Sequence, residues 1–132
     1  MTGPHHVHTE GNAVPSVDDT ELGGILADLD GIHAGLDLIR DGIRLLAHDR
    51  HTLNTTQVLL AVLAGSPDST DLLAALGRLI ERLANPDTNP ALRSLPLDQQ
   101  KEAAHQGWLT AHNLTDPDHR NTASRACAAL DQ

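Results

Sequence analysis

Nine histidines stand among the 132 residues, and imidazole is the side chain most used to hold transition metals and to exchange protons near neutral pH. His105 and His112 are seven apart, which on a helix places them on one side about two turns from each other. His119 follows early in the next helix, beside Asp116 and Asp118. A turn bringing His112 and His119 together would supply part of a ligand set, so one reading is a small metal- or ligand-binding bundle built on His105, His112 and His119. Against it, one helix presents ligands best at i and i+3 or i+4, and neither a Glu-x-x-His pair nor a His-Glu-x-x-His run occurs. His48-x-x-His51 has that spacing, but it falls at a helix end beside Asp49 and Arg50, where histidine serves the C-terminal dipole. His5, His6 and His8 lie in a segment with no geometry to select a metal. No cofactor is therefore expected.

Nucleophiles and phosphate cradles fare no better. Gly-x-Ser-x-Gly, a Walker loop and Gly-x-Gly-x-x-Gly are all absent, and Gly23-Gly24 has no preceding strand. Cys127 is the single cysteine; on an apolar helical face with nothing to lower its pKa, it reads as a small core residue. Asp28, Asp30, Asp37 and Asp41 are spaced by 2, 7 and 4 positions, which spreads them over a polar, solvated face. No catalytic residue is assigned, and the expectation is a protein without enzymatic activity.

The elements that would position any site are helices. The chain has 22 Leu and 17 Ala against five Val, five Ile, one Trp and no Phe or Tyr, a balance that favours helix over sheet. Residues 1–16, with Gly, Pro and no apolar period, read as a disordered arm. Asp18 and Glu21 then form a capping box, with Val17 and Leu22 as its hydrophobic staple. From there Leu22, Ile25, Leu29, Ile32, Leu36, Ile39, Ile43 and Leu46 alternate steps of three and four. This predicts one helix over 19–49, roughly 45 Å long. As a heptad seam the ladder puts Leu22, Leu29, Leu36 and Ile43 at a, with Ile25, Ile32, Ile39 and Leu46 at d. The same segment holds Gly23, Gly24, Gly31, Gly35 and Gly42, each costing up to about 1 kcal/mol in a helix interior. Gly24, Gly31, Gly35 and Gly42 fall on one line, which would let another backbone approach closely; alternatively the glycines bend or break the helix.

Further on, Asn54 and Gln57 offer a cap for an apolar run from Val58 to Ala64. Ser66-Pro67 starts a helix running to Ala84, and residues 85–96 form a loop. A helix after Pro96 carries Leu97, Ala104, Trp108 and Ala111, and Asp116-Pro117 opens the last one. The expected fold is an all-α bundle of four to five helices in a single domain over 17–132: a core bundle at 17–84, and a C-terminal pair at 97–132 docked through Trp108.

Charge narrows the partners. Nine basic against 18 acidic residues give a net charge of −9, and neither half of the chain is basic. Nucleic acid and anionic membrane are disfavoured, and a transcriptional role for 97–131 lacks a basic recognition helix. The apolar run 58–64 is too short to span a bilayer. With one cysteine and no signal-peptide pattern at its start, the chain is expected to be cytoplasmic. The function expected is a helical protein–protein interaction or assembly module, binding a protein partner or its own copies. Its contact residues are Leu22, Ile25, Leu29, Gly31, Ile32, Gly35, Leu36, Ile39, Gly42, Ile43 and Leu46.

Overall fold

A computed structural model describes residues 13–65 and 71–131. Among these the chain is all-helical, 73% helical with no strand. It gathers into two compact units that divide between His51 and Thr52. The segment 54–84 therefore groups with the C-terminal helices rather than with the N-terminal ones. Of the expected arm, residues 1–12 lie outside the described residues, and 13–16 are irregular and exposed.

In the first unit, the single helix expected over 19–49 is two helices, α1 (Glu21–Asp28) and α2 (Ala34–His48). The cap of α1 is Thr20, whose hydroxyl accepts from the Gly23 N–H at 3.2 Å, rather than Asp18. A side chain at Gly23 would run into the carbonyl of Val17. The chain breaks at Gly31, whose φ of 74° lies in the left-handed region that glycine enters without penalty. Two polar contacts hold the break. The Asp37 carboxylate accepts from the Gly31 N–H at 3.1 Å, and His33, extended at φ −160°, caps α2 by accepting the Gly35 N–H on its Nδ1 at 2.8 Å. Arg40 then binds Asp30 across the break, with Asp37 at 3.4 Å and Asp41 at 3.0 Å. Its guanidinium is raised above its ordinary pKa, chiefly by the hydrogen bond to Asp41 and then by that to Asp30. Three of the aspartates expected to form a merely solvated face thus organise a turn.

Further contacts run from the start of this unit to the end of α2. The Val17 N–H donates to Nε2 of His48 at 3.1 Å, and Arg44 reaches Asp18 at 3.3 Å. His51 donates from its ring to the Leu46 carbonyl at 2.7 Å, which is the C-terminal capping expected of this pair.

The second unit starts with α3 (Leu53–Leu60), capped by Thr52 through the Thr55 N–H at 3.1 Å. Asn54 does not cap it. A π-helical turn, Ala61–Gly65, continues α3. The start expected at Ser66 lies outside the described residues, but α4 (Leu72–Leu83) begins only after Asp71, which accepts from the Ala74 N–H at 2.9 Å. A 3-10 turn, Pro90–Ser94, sits in the expected loop, followed by α5 (Leu97–Leu114) and α6 (Pro117–Ala128).

Small residues set the packing of α4 on α5. A Cβ at Gly77 would lie 3.4 Å from Ala111, and one at Gly107 only 2.6 Å from the Cβ of Ala84. Trp108, expected as the anchor of the C-terminal pair, is instead exposed, because the face that meets α4 is the one bearing Gly107 and Ala111. Against α6, the Ser124 hydroxyl donates to the Gly65 carbonyl at 2.8 Å and the Cys127 thiol to the Gln57 carbonyl at 3.3 Å. A buried ion pair joins α6 to the start of α4: two nitrogens of Arg120 bond both oxygens of Asp71, one at 3.0 Å.

Candidate interaction surface

The break at Gly31 redistributes the apolar ladder. Leu29 caps α1 and Ile32 stands exposed in the turn, so the eight-residue seam is not one stripe, and the glycine line is interrupted where Gly31 leaves the helix. Leu22 and Ile25 of α1 are exposed. On α2, Leu36 and Ile43 are half-buried, together with Arg40, Arg44 and Ala47. These residues mark the side of α2 turned inward. Ile39, Gly42 and Leu46 are exposed and Gly35 half-buried.

The opposite side of α2 carries a second apolar set. At 100° per residue, Gly35, Leu38, Ile39, Gly42, Leu45 and Leu46 fall within an arc of about 120°. Leu38 is 73% and Leu45 68% exposed, among the most exposed large apolar residues described. Gly42 lies at the middle of this face with nothing within 4 Å of where its Cβ would be. The face therefore has a shallow centre flanked by Leu38 and Ile39 one turn before and by Leu45 and Leu46 one turn after. From Gly35 to Leu46 it carries no charge; Asp41 borders it, held by Nε of Arg40, and Asp49 stands at its C-terminal end.

Leu38 and Leu45 were outside the ladder because a heptad register keeps only two positions of seven. The signal in the sequence was that α2 is apolar on two sides, with Leu38 and Leu45 seven apart and each one helical turn from Gly42. Leu36 and Ile43, counted in the seam, serve the inward side instead.

Among the described residues of the first unit only Val17 and Leu26 are buried apolar side chains, Leu26 at 1% exposure. That is a small described apolar core for a unit that spans residues 1–51.

His105, His112 and His119 belong to the second unit. His105 is exposed on α5, His112 packs its ring on Trp108 with centroids 3.9 Å apart, and His119 is exposed in the first turn of α6. Among the described residues no three His, Cys, Asp or Glu side chains gather into a set able to hold a metal ion. No described helix is long and apolar enough to cross a membrane. No family model, curated protein or solved structure matches this chain.

Proposed function

We propose that this chain is a non-enzymatic protein–protein interaction module and that α2 is its contact helix, receiving an apolar helix of a protein partner across Leu38, Ile39, Gly42, Leu45 and Leu46. The observation that carries this reading is the exposure of Leu38 and Leu45 on either side of an open glycine, in a unit among whose described residues only Val17 and Leu26 are buried apolar side chains. Covering such a face removes apolar area from water at about 25 cal/mol per Å² and adds to the small core of its described residues. A glycine at the centre admits the close approach of a second backbone. The acidic balance of the chain supports a protein rather than a nucleic acid as the partner.

Site-specific photo-crosslinking tests the reading in the cells that make the protein. A photoreactive side chain at position 38 or 45 is expected to give one discrete adduct, lost when Leu46→Asp is added, while the same probe at exposed Gln99 gives none. Failure of positions 38 and 45 to form any adduct, or links only back into the same chain, would refute it.

A further inference from the structure

Resting on the reading of α2 as the contact helix, we infer that its occupant is α2 of a second copy of this chain, lying antiparallel, with the two helices crossing at Gly42. The face is symmetric about that residue. Leu38 and Ile39 stand four and three positions before it, Leu45 and Leu46 three and four after it, and Gly35 and Asp49 seven before and after. A two-fold axis beside Gly42 therefore lays Leu38 of one copy against Leu45 and Leu46 of the other, twice. The contact is isologous and closes on itself.

Charge decides the direction. Asp49 caps the C-terminus of α2 at the edge of this face, exposed and with no side-chain hydrogen bond or ion pair among the described residues. A parallel pair would bring two Asp49 carboxylates together at two negative helix ends. An antiparallel pair sets each Asp49 beside Gly35 of the other copy, at the positive N-terminal end of its α2. Asp41, the carboxylate bordering the middle of the face, already has the Arg40 guanidinium on it. The centre is open to a close crossing, since nothing fills the space in front of Gly42.

Sedimentation of the purified full chain, from dilute to concentrated solution, tests for the second copy. The expected result is a reversible shift from the 14.1 kDa chain to twice that mass. Gly42→Leu is expected to retain helicity, because a Cβ at this position meets no neighbour within a single copy and leucine favours helix over glycine, and to weaken association about thirtyfold by wedging the crossing open. Direction is read from disulfide trapping with Cys127 replaced by Ser. Chains carrying Leu38→Cys mixed with chains carrying Leu45→Cys should link to each other. Neither should link to itself, since like positions in an antiparallel pair lie on the order of 10 Å apart along the axis.

A chain that stays single at every concentration overturns the inference; if the photo-crosslinked adduct then proves to be a different protein, the contact helix stands and only the occupant was wrong. Links of 38 to 38 and 45 to 45 overturn the antiparallel arrangement. Association unchanged by Gly42→Leu overturns the crossing point.

Discussion

Asp71→Asn is expected to lower the stability of the 52–131 unit by about 3 kcal/mol. The Asp71 side chain is 0% exposed and that of Arg120 7%, and both carboxylate oxygens take hydrogen bonds from the guanidinium. Asparagine keeps an oxygen for the Ala74 N–H that Asp71 now caps, so the change removes the charge and largely spares the cap. Taking one member from a buried ion pair costs about 3–5 kcal/mol, because the remaining charge stays in a medium that solvates it poorly. Arg120→Met should cost a similar amount from the other side. The double variant takes both charges out of the interior, and replacing a buried pair by uncharged groups is often neutral. It should be no less stable than either single variant, giving a coupling energy of about 3 kcal/mol. Urea unfolding of the four proteins, followed by far-UV circular dichroism and by the fluorescence of Trp108, measures the cycle. Total stabilities of about 5–15 kcal/mol leave room to resolve it. The reasoning is refuted if the single losses simply add in the double variant, or if either falls below about 1 kcal/mol.

Gly107→Val should destabilise the second unit by about 1–3 kcal/mol, since even a Cβ there comes within 2.6 Å of Ala84; an unchanged thermal midpoint would show that α4 and α5 are not in close contact. Gly31→Ala should strain the turn by about 1 kcal/mol, and limited proteolysis should then cut faster between Leu29 and His33. An unchanged rate would argue that residues 29–33 do not require the left-handed conformation. Replacing His105, His112 and His119 together by Gln should leave the metal content of the purified chain unchanged, and loss of stoichiometric metal would restore the histidine site.

Helix class and several boundaries were legible because they rest on local chemistry: Pro96 before α5, Asp116-Pro117 opening α6, and a loop between Asn85 and Pro96. The break in the first helix was less so. A ladder stepping three and four continues through Leu29 and Ile32 whether or not the backbone does, and its period says nothing about Gly31 turning left-handed. What ends the helix is a set of contacts from farther along the chain, Asp37 to Gly31 and Arg40 to Asp30. Spacing alone cannot weigh those contacts against helix propagation. Similarly, among the described residues the close-packing glycines of the second unit are Gly65, Gly77 and Gly107, which look ordinary in the sequence, while the conspicuous run from Gly23 to Gly42 points to the first helix. Part of that reading carries over to the surface, since Ile39, Gly42 and Leu46 lie on it; Leu38 and Leu45 complete it only once the inward side of α2 is known.

Amide hydrogen exchange across residues 34–48 of the full chain tests the role of α2 most directly. If α2 is covered by a second copy, exchange over Leu38–Leu46 is slow in concentrated solution, quickens on dilution, and in Leu45→Asp is fast throughout. Fast exchange at every concentration, or a profile that Leu45→Asp leaves unaltered, would contradict it.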